Sequence, residues 1–343
     1  MNILAIDTSC DETSAAVVQD DHIVANIISS QVELHTPFGG VVPMIAKRAH
    51  EERIDPVIQK ALKRAHLTLK HIDVFAVTYG PGLAIALEVG VRRAKELAQE
   101  YGKPLIAVNH MEGHIYAMFA DVKKVLPHLP LLALLVSGGH TELVLMKNHG
   151  VYELIGQTVD DAAGEAFDKV ARMLGLGYPG GALLAKLAEE GNPRAYSFTI
   201  PMTRTGDLNF SFSGIKTAVM RLMKELSHDG TRVLAKKEIM DIAASFQHIS
   251  VEHVVRKTVT AVERTHVQTV IIGGGVSANL LLRKTLRARL KPLGVSVLYP
   301  TDKKLCMDNA AMIGVVAYYK AQRKEFVQNI EKLDRNPVTE ITD

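Results

Sequence analysis

Residues 131–146 read LLALLVSGGHTELVLM, and this stretch decides the fold class. An apolar run at 131–136 and a mostly apolar run at 141–146 flank the turn Ser137-Gly138-Gly139-His140. Short apolar runs separated by glycine predict two β-strands joined by a tight turn. A further run at 151–155 predicts a third strand, so the segment is a strand–turn–strand–turn–strand unit.

The start of the chain repeats this arrangement, with predicted strands at 3–7, 15–19 and 23–29. Ser9-x-x-x-Thr13 aligns with Ser137-x-x-x-Thr141. Helical patterns follow each unit, which favours an α/β architecture over segregated helices and strands. We therefore expect two related lobes with a cleft between them: an N-terminal lobe at 1–130, completed by a helix at about 308–325, and a C-terminal lobe at 131–307.

Composition limits the class of protein. A length of 343 residues predicts about two domains, and 47% hydrophobic with 22% charged residues is typical of a soluble globular protein. A formal charge of +3 does not indicate a nucleic-acid-binding protein, so RNA contacts would need local basic runs such as 283–291. The start lacks a signal peptide pattern, no apolar run reaches the ~20 residues of a membrane span, and two cysteines predict thiols of the cytoplasm.

Two histidines stand four residues apart in the segment NHMEGH at 109–114. On a helix, His110 and His114 would leave the same face, which is ligand spacing for a divalent metal. Met111 follows His110, whereas the zinc proteases need glutamate there, so a protease is disfavoured. Asp308 is the candidate third ligand, although it could instead cap the helix that follows. Two surface histidines without a metal are the alternative.

Glycine-rich turns mark two candidate phosphate sites. The Ser137–His140 turn offers backbone amides without obstruction by a Cβ, and GGGVSAN at 273–279 joins a predicted strand to a helix start. Neither fits the Rossmann or the Walker motif, and each could be a plain tight connection. Carboxylates crowd at 7–12 and at 160–168, either as solvated turn residues or as walls of a ligand site.

Together these segments resemble the TsaD family of bacterial tRNA threonylcarbamoyltransferases, which is related to the archaeal and eukaryotic Kae-type proteins. The resemblance spans nearly the whole chain, from IDTSCDET at 6–13 to DNA at 308–310. Between them lie GGVVP at 39–43, GPGL at 80–83, the histidine segment, SGGHT at 137–141, DAAGEAFD at 161–168, YPGG at 178–181, FSFSGIKT at 210–217 and GGVSAN at 274–279.

The resemblance implies an actin-like ATPase fold of the hexokinase and Hsp70 type, and an acyltransferase acting on tRNA. It implies one divalent metal held by His110, His114 and Asp308, with Fe²⁺ as the first choice and Zn²⁺ or Mg²⁺ as alternatives. It also implies a TsaB-like paralogue and a TsaE-like ATPase as partners. The implied substrate contacts are Leu135, Val136, Ser137, Gly138, Gly139, Asp168, Gly181 and Asn279.

The expected reaction moves threonylcarbamoyl from threonylcarbamoyl-AMP to a tRNA adenosine, and Asp11 in the first turn is the candidate general base. A small-molecule kinase of the same fold and a non-catalytic nucleotide-binding subunit are the alternatives. The sequence departs from the family pattern at Met44, with Lys47 nearby in place of serine, and over residues 83–88. These departures lie outside the predicted metal ligands.

Overall fold

A computed structural model describes residues 1–120 and 127–342. The chain divides into two compact units, the first formed by Met1–Pro127, Asn148–Tyr152 and Tyr299–Asp343, and the second by His128–Lys147 and Glu153–Leu298. The strands are β1 (Asn2–Asp7), β2 (Glu12–Gln19), β3 (His22–Ser30), β4 (Val74–Gly80), β5 (Leu105–Asn109), β6 (Leu131–Val136), β7 (Thr141–Asn148), β8 (Val151–Gln157), β9 (Thr269–Gly273) and β10 (Ser296–Leu298).

Helices connect and cover these strands. They are α1 (Val32–His35), α2 (Pro43–Arg64), α3 (Ala84–Tyr101), α4 (His110–Tyr116), α5 (Ala163–Met173), α6 (Gly181–Ala188), α7 (Ser213–Leu226), α8 (Lys236–Thr265), α9 (Leu280–Leu290), α10 (Lys303–Cys306) and α11 (Ala310–Gln322). No helix formed by the described residues is both long and apolar enough to span a membrane.

Both units contain a five-stranded sheet with the same order. The first sheet runs β3-β2-β1-β4-β5 and the second runs β8-β7-β6-β9-β10. In each sheet an antiparallel hairpin, β1–β2 or β6–β7, lies beside a parallel strand, β4 or β9. The first hairpin is centred between Cys10 and Asp11 and the second between Gly138 and Gly139, so the register confirms the alignment of Ser9 with Ser137.

The sheet of the first unit is buried on both faces, as its near-continuous apolar strands require. Leu4 and Ile6 of β1 belong to a core cluster with side chains of α2 and α3. Helix α11 packs on the sheet as well, since a Cβ at Gly314 would lie 3.3 Å from the Cβ of Ala5. The absence of a side chain at Gly314 therefore allows this helix to approach β1 closely.

The helical pattern at about 43–66 contains Pro56, and a proline inside a helix predicts a division there, but the structure differs from this prediction. The structure shows one helix from Pro43 to Arg64 that continues through the proline. Pro56 lies on the exposed face, so the carbonyl that loses its hydrogen bond can be solvated. Ile54, Val57 and Ile58 are buried on the opposite face and hold the helix against the core.

The sequence after about residue 320 is polar and predicts no particular structure, yet the segment that follows α11 has a defined place in the fold. Its backbone binds the first unit, with the Asn336 amide donating to the Tyr79 carbonyl at 2.7 Å and the Val327 amide donating to Leu105 at 2.9 Å. A Cβ at Gly80 would collide with the Asn336 carbonyl oxygen. This segment therefore packs along β4 and β5.

Candidate metal centre and ligand cavity

The predicted histidine pair lies where β5 passes directly into α4. Asn109 caps this helix, since its Oδ1 accepts the Met111 amide at 2.8 Å, and its Nδ2 donates to the Glu340 carbonyl at 2.9 Å. All seven residues of α4 are buried. The cap and the burial fix the directions in which the two imidazoles leave the helix.

Asp308 approaches the histidines from the other side of the site, ahead of α11. Asn309, and not Asp308, is the N-cap of α11, because its Oδ1 accepts the Met312 amide at 3.1 Å. Helix α11 can come close to α4 at Gly113, where a Cβ would lie 2.9 Å from the Ile313 side chain. Since Asn309 supplies the cap, the Asp308 carboxylate is available to the histidines.

The three predicted ligands converge. Oδ1 of Asp308 lies 3.4 Å from Nε2 of His110 and 3.3 Å from Nε2 of His114. Their possible ligand atoms all lie within 4.8 Å of one another, so the group could hold a metal ion. Two atoms each about 2.1 Å from one ion are about 3.0–3.4 Å apart at ligand angles of 90–109°. The two distances from Asp308 to the histidines match that value.

Unsatisfied polar atoms in the same place support this fit. Both ring nitrogens of His114, Nδ1 of His110 and Oδ2 of Asp7 are buried and make no hydrogen bond with the described residues. Buried polar atoms without partners cost about 1–3 kcal/mol each, so several at one site indicate a missing ligand. A divalent cation bound to Nε2 of His114 would satisfy one of these atoms directly.

Electrostatic interactions hold Asp308 ionised, as a metal ligand must be, but they favour a protonated His110, so a metal ion would bind this ring by displacing its proton. Burial opposes ionisation of Asp308, but the neighbouring His110 and His114 outweigh it and hold the pKa of the carboxyl well below its usual range. Burial lowers the pKa of His110, whereas Asp308 and then Asp7 raise it to about 9. Asp7 Oδ2 lies 4.0 Å from Nδ1 of His110, a position from which it can orient the ring.

The candidate base Asp11 is half-buried in the turn between β1 and β2. His50 holds this turn from behind, since its Nε2 donates to the Cys10 carbonyl at 3.0 Å and its Nδ1 accepts the Thr13 hydroxyl at 2.8 Å. Burial lowers the pKa of His50, which favours this neutral form. Glu12 is buried, and burial together with the charges of Asp11 and Asp308 raises its pKa to about 10.

A cavity of about 410 Å³ in the second unit contains four of the predicted substrate residues, a size typical of small-molecule sites. These four are Gly138, Asp168, Gly181 and Asn279. Leu135 and Val136 are instead buried within β6, and Ser137 and Gly139 belong to the turn without lining the cavity. Phe167, Lys186, Glu189 and Val276 also line the cavity and were not among the predicted contacts. Phe167 and Val276 lie within the motifs at 161–168 and 274–279, whereas no motif marked Lys186 or Glu189.

Hydrogen bonds place the polar groups of this cavity. Asp168 Oδ1 accepts the amides of Gly180 and Gly181, at 3.0 and 2.7 Å, at the start of α6. Asn279 caps α9 by accepting the Leu282 amide at 3.0 Å, and it donates to Gln247 at 2.8 Å. Both side chains are therefore held by the ends of helices.

Glycines let the backbone of the cavity wall approach closely. A Cβ at Gly164 would lie 2.6 Å from the Ser137 carbonyl oxygen, to which its amide donates at 3.1 Å. Gly138 differs, because a Cβ there would meet no protein atom within 4 Å. Packing thus explains the glycine at 164 but not the glycine at 138. In the turn, Ser137 Oγ accepts the amides of Gly139 and His140, at 3.3 and 3.0 Å.

The two departures from the family pattern contact each other. Lys47 Nζ lies 3.7 Å from the Glu88 carboxylate, and Arg335 contacts the same carboxylate at 3.9 Å. Met44 is 70% exposed in the first turn of α2. The altered residues thus form a joint surface of α2, α3 and the C-terminal segment.

Solved structures show the class of this architecture. Acidaminococcus fermentans (R)-2-hydroxyglutaryl-CoA dehydratase component A is similar with a TM-score of 0.56 and 18% identity, covering 94% of this chain and 99% of that chain. T. kodakarensis HypF is similar with a TM-score of 0.63 and 13% identity, covering 94% and 48%. The fold is the actin-like ATPase fold, as predicted, and its first unit carries a His–His–Asp group that could hold a metal ion.

Sequence comparison identifies the family. The family model TsaD, tRNA N6-adenosine threonylcarbamoyltransferase, matches residues 22–315. A protein named tRNA N6-adenosine threonylcarbamoyltransferase from Moorella thermoacetica is 51% identical over 326 residues, which cover 95% of this chain and 93% of the relative. The chain belongs to the TsaD family, and the predicted resemblance is confirmed.

Proposed function

We propose that this chain transfers threonylcarbamoyl from threonylcarbamoyl-AMP to N6 of the adenosine 3′ of the anticodon in tRNAs that read ANN codons. The N6 nitrogen forms a bond to the carbamoyl carbon, the bond from that carbon to the AMP oxygen breaks, and AMP leaves. The N6 proton passes to a base. Family membership over 95% of the chain, at 51% identity with a relative named for this activity, carries the proposal.

The metal would be held by His110, His114 and Asp308, with Fe²⁺ as the first choice and Zn²⁺ or Mg²⁺ as alternatives. Two histidines with one carboxylate are a donor set typical of non-haem Fe²⁺, and they leave coordination positions for a substrate. When bound, the ion supplies Lewis-acid stabilisation of developing negative charge and a template for the reactants. Asp7, with Oδ2 4.0 Å from Nδ1 of His110, would act on this ring through its charge and not through a hydrogen bond.

The cavity of the second unit would bind the adenylate part of the donor. Apolar side chains such as Phe167 and Val276 suit a purine ring, and Asp168 and Asn279 supply polar groups at fixed positions. The open space beside Gly138 is what a ligand approaching the backbone needs. Ser137, Gly139 and Gly181 complete the proposed contacts through the backbone of the turn after β6 and of the start of α6, whereas the fully buried Leu135 and Val136 would support that turn from within the strand.

Asp11 is the proposed base for the N6 proton. Its turn is held by His50, so its position is fixed, while its half-buried side chain can still reach a substrate. Transfer would then depend on Asp11 without any change in the metal content of the protein.

The proposal extends to the setting of the reaction. The substrates are tRNA and threonylcarbamoyl-AMP, the partners are a TsaB-like paralogue and a TsaE-like ATPase, and the compartment is the cytoplasm. Residues 1–130 with the helix at 308–325 would form one lobe and residues 131–307 the other. The inclusion of Tyr299–Asp343 in the first unit supports this division.

Reconstitution tests the proposed function. The full chain is incubated with a threonylcarbamoyl-AMP synthase, ATP, bicarbonate, labelled threonine, the two partner proteins and an unmodified tRNA that reads ANN codons. We expect label in the tRNA only when the chain is present. Absence of label with all partners supplied would contradict the proposal, and transfer of labelled γ-phosphate from ATP to a small molecule would instead indicate a kinase.

A further inference from the structure

A second cavity in the second unit has no role in the proposed reaction. Its volume is about 130 Å³, the share of about four water molecules in the liquid. It lies between α8 and the loop at 200–207, and none of its lining residues belongs to the metal centre or to the ligand cavity. We name it the basic pocket, defined by Arg256, Lys257 and Arg264 of α8 and Asp207 of the loop.

The charges of the basic pocket are unbalanced. Arg256, Lys257 and Arg264 are cations, and Asp207 is the one carboxylate that lines the cavity, which leaves a surplus of two positive charges. All three cations lie on one side of α8, because Arg256 and Lys257 are adjacent and Arg264 follows them about two helical turns later. The arrangement provides an anion site along one helix face.

Lys257 forms the floor of the pocket. The residue is only 8% exposed, and its Nζ donates to the Asp207 carbonyl at 2.7 Å and lies 3.3 Å from both the Asp207 carboxylate and the Thr205 hydroxyl. These bonds tie the loop to α8. Arg264 adds another, since its guanidinium donates to the Gly206 carbonyl at 2.7 Å. The loop is thus fixed around the cations.

Arg256 is the cation available to a ligand. Among residues 1–120 and 127–342, its guanidinium has neither a hydrogen bond nor an ion pair, and its side chain is exposed. The cations also affect the neighbouring His253. Burial is the largest cause of its lowered pKa, the charges of Lys257 and Arg256 lower the pKa further, and it is about 4. A neutral His253 at physiological pH adds no charge but keeps a polar wall.

The spacing of the arginines favours a polyanion over a small anion. Arg256 and Arg264 are eight residues apart, which is about 12 Å along the helix axis. That separation exceeds a single phosphate group, whereas two phosphates of one nucleic acid strand, more than one nucleotide apart, can contact both. Arginine forms bidentate hydrogen bonds with phosphate oxygens, and such contacts position RNA without reading its sequence.

We propose that the basic pocket binds the phosphate backbone of the RNA substrate, with Arg256 and Arg264 contacting two phosphates of one strand over the floor formed by Lys257. This inference rests on the proposed function, because tRNA is the nucleic acid that the reaction supplies. It adds an RNA-binding site in the second unit on residues outside the predicted metal and substrate sets.

Binding of an unmodified tRNA transcript to the full chain tests the proposal. The dissociation constant is measured by fluorescence anisotropy at several KCl concentrations for the wild type, Arg256→Ala, Arg264→Ala and Lys237→Ala. Lys237 is the matched control, since it lies on the same helix, is exposed and pairs with Asp241 at 2.8 Å outside the pocket. Arg256→Lys tests whether charge alone is enough. Because Arg256 is exposed and unpaired, its replacement leaves the fold intact.

We expect Arg256→Ala to weaken tRNA binding about tenfold and to reduce the slope of log affinity against log salt by about one. Arg264→Ala should act in the same direction, Arg256→Lys should recover part of the affinity, and Lys237→Ala should bind as the wild type does. Wild-type affinity and slope in both arginine variants would overturn the proposal, as would equal weakening in Lys237→Ala.

A second arm separates RNA from a small anion. Inorganic pyrophosphate binding is measured by calorimetry on the same proteins. If Arg256→Ala loses pyrophosphate binding but keeps its tRNA affinity, the pocket binds a free anion and the RNA proposal fails. Failure of the proposed function is distinct, because it shows as unlabelled tRNA in the wild-type transfer reaction even where tRNA binds.

Discussion

Oδ1 of Asp308 lies 3.3 Å from Nε2 of His114, although the two residues are 194 positions apart in the sequence. The contact joins the residue that precedes α11 to a buried residue of α4. It exists because Asn309 takes over the helix cap and Gly113 lets the two helices approach. The metal centre is therefore a consequence of how two helix starts are built.

Removing a ligand should remove the metal. His114→Ala removes one of three side chains that could hold the metal, and no other described residue could replace it in this group. We therefore expect metal content to fall from about one ion per chain to near zero, with loss of transfer. Metal is measured by mass spectrometry, and circular dichroism checks the fold. His22→Ala, at an exposed position, serves as the control. One bound ion in His114→Ala would contradict the assignment.

The cap of α11 should be measurable by itself. Asn309→Ala removes the acceptor for the Met312 amide and the donor to the Met307 carbonyl at 2.7 Å, so we expect the free energy of unfolding to fall by about 1–2 kcal/mol. Urea unfolding in the presence of a chelator separates this effect from metal binding. Asn309→Ser keeps a capping oxygen for the Met312 amide and should lose less. Equal stability of the alanine variant and the wild type would be inconsistent with the cap.

Gly138→Ala should separate binding from folding. Its Cβ would meet no protein atom, so we expect unchanged thermal stability but several-fold weaker binding of AMP, measured by calorimetry. Gly164→Ala is the contrasting variant, because its Cβ would lie 2.6 Å from the Ser137 carbonyl and should destabilise the protein. Unaltered AMP affinity in Gly138→Ala would remove the turn from the proposed ligand site.

Acid should destabilise the protein through His253. Its folded pKa of about 4 lies below the ordinary 6.5, so the unfolded state binds the proton first as the pH falls. The neutral ring contributes about 3 kcal/mol to the free energy of unfolding. This contribution is complete above pH 6.5 and is lost as the pH falls from 6.5 to 4. We expect urea unfolding of His253→Gln to depend less steeply on pH in this window than the wild type, and parallel curves would disprove it. The comparison cancels contributions of His50 and His149, whose pKa values burial also lowers.

Asp11 should matter to chemistry but not to metal binding. If its carboxylate accepts the N6 proton, Asp11→Ala should slow transfer by about 10²–10⁴-fold while metal content and tRNA affinity stay unchanged. Single-turnover transfer with preformed threonylcarbamoyl-AMP measures the step. Asp11→Asn, which keeps the shape of the side chain, should be equally slow, and normal transfer by either variant would exclude the role.

The predictable part of the fold is local. The strand runs around Ser9 and Ser137 and the short polar turns between them determine the two hairpins, so the repeated units could be inferred from pattern alone. The C-terminal segment could not, because it binds through backbone groups such as the Asn336 amide and carbonyl, which leave no side-chain pattern. The division predicted at Pro56 was wrong for a related reason. Burial of Ile54 and Val57 against the core outweighs the helix hydrogen bond that the proline cannot donate.

The candidate site was predictable to the same extent: its local features followed from the sequence, and its long-range contacts did not. Spacing alone brought His110 and His114 together, because four residues make about one helical turn. Sequence could offer Asp308 only as a candidate, since which residue caps α11 depends on the geometry of the helix start. Arg256 and Lys257 gave no signal at all, as their pocket forms only when the 200–207 loop folds onto α8.

Nucleoside analysis of the product tests the central claim most directly. tRNA from the reconstituted reaction is digested and its nucleosides are separated by mass, with AMP release measured in the same samples. The account predicts N6-threonylcarbamoyladenosine and AMP in equal amounts with the wild type, and neither with His114→Ala. Unmodified adenosine with the wild type, or the modified nucleoside in equal amount with His114→Ala, would contradict it.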